Sequence, residues 1–217
     1  MYDIKAHEVV YRGAHFRSKN ECKRYIFFKQ LGWNVEYEPI LEDIKGWLPD
    51  FAIYGDKNKK ILVEVKPYQT MRDFETDYAK SVEKKIHDSG WYGNYDSVLI
   101  FGSTLNLGEA SCGDNTFLGG KCFRRAEYDP DWPINYSGKI INGHQYYPDE
   151  FAYTNRGLSD EQIHRGDIDV CDAINSYIGH IWDSYDGGYC LSDEAREKIE
   201  TAWNYAGSEM RYVRRVA

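Results

Sequence analysis

Two short stretches hold the residue types that hydrolysis of a charged ester needs: Leu48-Pro49-Asp50-Phe51 and Val63-Glu64-Val65-Lys66-Pro67. Glu64 and Lys66 stand two apart in an alternating run. On a β-strand both side chains therefore leave one face, about 7 Å apart. Leu62 shares that face, while Ile61, Val63 and Val65 take the other. A polar turn over residues 55–60 predicts an antiparallel hairpin that sets Asp50 opposite, or one residue from opposite, Glu64. Two carboxylates and an ammonium then share one sheet edge. Phosphodiester hydrolysis needs a nucleophilic water and relief of charge on the phosphoryl oxygens, and a hard cation such as Mg²⁺ or Mn²⁺ held by carboxylates supplies both. Asp50 and Glu64 are the expected ligands, with the Val65 backbone carbonyl as a further oxygen donor. Lys66 is expected to orient the attacking water or to offset transition-state charge, and its burial beside a cation predicts a lowered pKa. The plainer alternative is a strand-entry aspartate and a solvated Glu64–Lys66 pair of little energetic weight. Flanking Leu62, Val63 and Val65 predict instead a strand covered on both faces, where a carboxylate needs a partner.

A helix and an extended segment must lead into these strands. Ser18 opens the helix with Glu21 three residues on, the capping-box spacing. Cys22, Tyr25, Ile26, Phe28 and Leu31 give it a wide apolar face, and Gly32 stops it. Glu21 either caps its own helix or, sharing a face with Tyr25 and Phe28, turns toward the sheet. Residues 11–16 read as a short strand or extended entry and residues 35–38 as a further extended segment, ended by Pro39. Beyond Pro67, the spacing of Phe74, Tyr78, Val82 and Ile86 predicts a single helix over 71–87. Residues 97–101 read as a strand ended by Gly102, and 116–126 add one or two more.

The Pro49-Asp50 pair, the hairpin and Glu64-x-Lys66 together resemble the signature of the PD-(D/E)XK nuclease superfamily. Upstream, Ser18-x-x-Glu21 on a helix followed by Gly32-Trp33-Asn34-Val35-Glu36-Tyr37-Glu38-Pro39 is similar to the lead-in of its phage-borne and transposon-end members. The resemblance implies an α/β, restriction-endonuclease-like αβββαβ core and Mg²⁺-dependent cleavage that leaves 5′-phosphate ends. It also implies a place for Glu21 in the acidic cluster, as a metal ligand and catalytic residue beside Asp50, Glu64 and Lys66. It spans roughly residues 11–101. The CxxC knuckle that phage members carry further along has no counterpart here.

Composition sets the wider limits. The chain has 217 residues, 42% of them hydrophobic and 16% aromatic, enough for a packed core. A net charge of -8 weighs against a protein that coats nucleic acid non-specifically, since phosphate binding draws on local positive charge. Arg17, Lys19, Tyr68, Gln69, Lys80 and Lys84 are the candidate nucleic-acid contacts, each with solvated surface or loop as its plain alternative. Cys112 and Cys122 with His144 or His164 match no common zinc spacing. Five cysteines without a CxxC pair, a charged N-terminus and no long apolar run predict a reducing, cytoplasmic setting without a membrane span. The sequence changes character near Tyr128, which predicts a nuclease-like core over 1–127 and an aromatic-rich, partly helical extension over 128–217. Helices are expected at about 168–185 and 192–206 in that extension. Trp132, Tyr136, Tyr146, Tyr147 and Phe151 either stack bases or form a satellite core. DNA is the expected substrate ahead of RNA. Two other readings stay open: a catalytically silent nuclease fold that binds a host nucleic-acid or defence complex, with the extension as a protein-contact surface, and a nuclease active only within a larger assembly.

Overall fold

The computed structural model describes residues 7–54, 60–91, 94–95, 97–105, 119–125, 139–141, 144–149 and 193–215. Strand β1 (Val9–Tyr11) turns directly into β2 (Ala14–Phe16) through Arg12 and Gly13, at φ 49° and 86°. Two consecutive positive-φ residues give the tight turn whose twist matches an antiparallel pair. The short strand or extended entry expected over 11–16 is therefore the turn and second arm of a hairpin.

Helix α1 (Lys19–Gln30) begins where Ser18 Oγ accepts the Glu21 N–H at 3.1 Å. It ends where Gly32, at φ 82°, lets the N–H groups of Gly32 and Trp33 return to the carbonyls of Lys29 and Phe28. The chain then makes an antiparallel meander of β3 (Asn34–Tyr37), β4 (Phe51–Tyr54) and β5 (Lys60–Val65). It crosses over to β6 (Ser97–Phe101), which lies parallel to β5. Strands β7 (Gly120–Arg125), β8 (Lys139–Ile141) and β9 (His144–Asp149) complete a mixed seven-stranded sheet in the order β3-β4-β5-β6-β7-β9-β8. The fold is mixed α/β.

The crossover is not the single helix expected over 71–87. A 3₁₀ turn (Met71–Glu75) and helix α2 (Asp77–Asp88) are separated by Thr76, whose backbone is extended at φ -67° and ψ 156°. Thr76 Oγ accepts the Ala79 N–H at 3.2 Å, so a capping hydroxyl starts a new helix and defeats the apolar periodicity across it. Tyr78 consequently lies in the first turn of α2 and is 58% exposed, outside the buried stripe that the spacing assigned to it.

Strand alternation separates two cores. Phe51, Ile53, Ile61, Val63, Val65, Leu99 and Phe101 pack toward α1, while Ala52, Leu62, Val98 and Ile100 pack toward α2 with Phe74, Ala79 and Ile86. The chain after Tyr128 returns to this framework. Helix α3 (Asp193–Glu209) adds Ile199, Ala202 and Ala206 to the α1 core, and β10 (Arg214–Arg215) pairs with β1. The helix expected over 168–185 and the side chains of Trp132, Tyr136, Tyr146, Tyr147 and Phe151 lie outside the described residues, as do those of Cys112, Cys122, His144 and His164. Among the described residues no helix is long and apolar enough to cross a membrane.

Arg24 fastens these layers together. Fully buried, it donates to the carbonyls of Gly102 and Thr104 at 2.9 Å each, and its guanidinium sits 4.6 Å from the ring centroids of Phe101 and Trp203. Burial lowers its pKa to about 9, which still leaves it charged at neutral pH. Arg24→Ala removes these donors from buried carbonyls and opens a cavity between α1, α3 and the β6 end. The expected loss is on the order of 3 kcal/mol in urea unfolding. Arg24→Lys should recover little of it, because a single ammonium has neither the planar stack nor the fork.

Candidate functional site

The β4–β5 hairpin brings the first two acids together. Its register pairs Phe51 with Val63, and one step past the strand end the same register sets Asp50 across from Glu64. The Val65 N–H donates to Asp50 Oδ2 at 2.7 Å, which fixes the aspartate against β5. Asp50 and Glu64 are 4% and 6% exposed, too buried to act as a solvated surface pair. Lys66 donates to Glu64 Oε1, and the indole N–H of Trp47 donates to Glu64 Oε2 at 2.9 Å.

Helix α1 supplies the third acid. Glu21 is buried, and its carboxylate accepts the Tyr37 hydroxyl at 2.7 Å and the Arg17 N–H at 3.2 Å. Only the serine half of the expected reciprocal box appears as a cap bond to Glu21. The glutamate side chain instead faces Tyr37, whose ring is held between Phe16 and Phe51 at centroid distances of 4.6 and 5.3 Å. Arg17 closes the group from above. Its Nη2 donates to Asp50 Oδ1 at 2.5 Å and its Nε to Glu38 at 2.7 Å, with Glu21 3.9 Å away.

Burial raises the Asp50 pKa to about 8, with Glu64 and Glu21 adding to the effect and the Val65 N–H and Lys66 opposing it. Burial would lower the Lys66 pKa, but the charge and hydrogen bond of Glu64, with Asp50 behind it, raise it above the ordinary lysine value. The Lys66 pKa is thus raised where the sequence predicted a lowered one. The adjoining carboxylates outweigh desolvation there.

Among the described residues no three His, Cys, Asp or Glu side chains converge to hold a metal ion. Each oxygen of Asp50 and Glu64 already accepts a donor: Arg17, the Val65 N–H, Lys66 and Trp47 in turn. The donor chemistry nevertheless fits a hard divalent cation. All candidate ligands are oxygens, Asp50 and Glu64 come from the two arms of one hairpin, and burial with the neighbouring acids disfavours the charged form of Asp50 without added positive charge. A cation there would share these oxygens with Arg17 and Lys66 or displace them.

The fold therefore gathers Asp50, Glu64, Lys66, Glu21 and Arg17. Val65 meets the group through its backbone N–H. Arg17, expected as a phosphate contact, is engaged with carboxylates. Lys19 and Gln69 are exposed, with the Gln69 N–H bound to Asp73. Lys80 and Lys84 are exposed on α2, and Lys84 pairs with Asp88. Tyr68 is buried against Phe74, and its carbonyl accepts the Ser103 N–H at 2.7 Å, which ties the segment after Lys66 to the β6 end. Trp47 and Tyr37 were not foreseen as partners of the acids. Their aromatic side chains with polar tips close to Asp50 and Glu38 in sequence were the available signal. Comparison with protein-family models, curated proteins and solved structures returned no match.

The raised Asp50 pKa has a defined consequence for stability. The folded chain keeps this proton up to about pH 8, whereas the unfolded chain releases it near 3.8. Folding takes up a proton between those limits, so the contribution is complete below about pH 4 and is lost as pH rises toward 8. In metal-free buffer, the melting temperature should fall from pH 5 to pH 8.5, and Asp50→Asn should flatten that slope. Equal slopes in both proteins would contradict the assignment.

Proposed function

We propose that this protein is a metal-dependent nuclease of the PD-(D/E)XK type that hydrolyses phosphodiester bonds, most readily in DNA, and leaves 5′-phosphate ends. The observation that carries the reading is the buried pairing of Asp50 with Glu64 across the β4–β5 end, with Lys66 on the Glu64 carboxylate. The element order α1-β3-β4-β5-α2-β6 agrees with the αβββαβ core of restriction-endonuclease-like proteins.

Mg²⁺ or Mn²⁺, when bound, supplies Lewis-acid charge and an activated water. Asp50, Glu64 and Glu21 would hold it. Trp47 orients Glu64, the Val65 N–H orients Asp50, and Tyr37 orients Glu21. Lys66, kept protonated by Glu64 and Asp50, places a positive charge at the carboxylate pair, where a phosphoryl oxygen gains most from it. Arg17 is 46% exposed on its side chain while holding Asp50 and Glu38, so it can exchange a carboxylate for a substrate phosphate.

Incubation with plasmid or oligonucleotide DNA and Mg²⁺ or Mn²⁺ should yield cleavage with 5′-phosphate ends. Asp50→Ala and Lys66→Ala should each lower the rate about 100-fold or more. Cleavage that survives both substitutions would remove the proposal. A second reading, a nuclease fold that binds without cutting, is favoured by the occupation of the acid oxygens by Arg17 and Lys66. It predicts stable binding to a partner complex, no cleavage under either metal, and no rise in melting temperature when Mn²⁺ is added.

A further inference from the structure

A shallow groove on the α2 side is lined by Lys45, Gly46, Ser81, Lys84, Lys85 and Asp88. Three lysines and one aspartate make it locally cationic in a chain of net charge -8. The lysines are gathered by the fold. Lys84 and Lys85 lie in the last turns of α2, whereas Lys45 comes from the loop between β3 and β4. That loop is pinned in place: the Lys45 N–H donates to the Ser89 carbonyl at 3.1 Å, and Asp43 accepts from Asn94 at 2.6 Å and from the Tyr95 hydroxyl at 2.9 Å.

The loop that carries Lys45 runs on to the acid group. Two residues after Lys45 the same loop presents Trp47, whose indole holds Glu64. At the N-terminal end of α2, Tyr78 meets Tyr68, two residues after Lys66, edge-on at a centroid distance of 6.5 Å. From Tyr78 to Lys84 the helix rises roughly 9 Å, about two or three nucleotide steps along one strand. Lys80, one turn before Lys84, extends the exposed row toward the acid group.

We infer that this groove is a docking track for a phosphodiester backbone, with Lys45 and Lys85 as phosphate contacts a few nucleotides from the bond that lies at Asp50 and Glu64. The direction of the track rests on the nuclease reading, but the binding does not. A phosphate chain fits better than a single anion, because the lysines are spread along a row and exposed rather than converging on one point. Lys84, tied to Asp88, contributes less than the other two.

The test is fluorescence anisotropy of a labelled 30-nucleotide DNA with the full chain in EDTA, repeated across KCl concentrations. Relative to the unaltered protein, the Lys45→Gln/Lys85→Gln pair should bind on the order of tenfold more weakly near 0.15 M salt. The slope of log affinity against log salt should become shallower by about two. Lys29→Gln/Lys198→Gln changes net charge equally on α1 and α3 and serves as the control, with affinity and slope expected to stay unchanged. Equal losses in both pairs, no loss in the groove pair, or no DNA binding by the unaltered chain would each overturn the inference. Sparing of DNA by an equimolar-charge excess of polyglutamate is also expected, and displacement by it would reduce the groove to a site for acidic protein. DNA binding that depends on Lys45 and Lys85 without any cleavage in Mg²⁺ or Mn²⁺ would leave the track standing and remove the hydrolase. Cleavage by an unaltered Asp50 centre with groove variants that bind normally would do the reverse.

Discussion

Carboxyl groups taken out of water lose their hydration, and the local structure around Asp50, Glu64 and Glu21 answers that cost. Asp50, Glu64 and Glu21 are each buried, and their donors come from several different elements. Arg17 precedes α1, Lys66 follows β5, Tyr37 ends β3, and Trp47 comes from the loop before β4. Removing any one of these elements would leave an ionisable group buried without its partner, an arrangement far costlier than an ordinary lost contact.

The pleat explains how the acids can be present without dissolving the core. Alternation along β5 sends Ile61, Val63 and Val65 into the α1 core, while Glu64 emerges on the opposite face beyond Leu62. The acids gather at the strand ends, where the sheet stops being covered and polar partners can enter. Arg24 works at the same end of the sheet. Its bonds to the Gly102 and Thr104 carbonyls hold the β6 exit against α1, the helix that carries Glu21 three residues before it. The core cation and the acid group are thus mechanically connected through one helix.

Much of the core could be read from residue order. Ser18 as the helix cap, Gly32 as its stop, the β4–β5 hairpin and the β6 strand all follow from local chemistry that acts within a few residues. The misreadings have local causes too. Arg12-Gly13 folds a strand into a hairpin through positive φ angles, and Thr76 interrupts a helix whose apolar spacing runs straight through it. Apolar periodicity is blind to both events, because each depends on one backbone conformation rather than on a pattern.

The sequence alone determined which charged residues share a strand face, since a period of two is a property of the chain itself. It also set the order of helix and strands around Asp50, Glu64 and Lys66. Tertiary structure decided what those charges meet. Arg17 on the acids instead of solvent, the Trp47 indole on Glu64, a lysine that holds its proton more firmly, and α3 returning to pack on α1 all join residues distant in sequence. Protonation and hydrogen bonding respond to distance in space and to the exclusion of water. Neither quantity exists until the layers have closed.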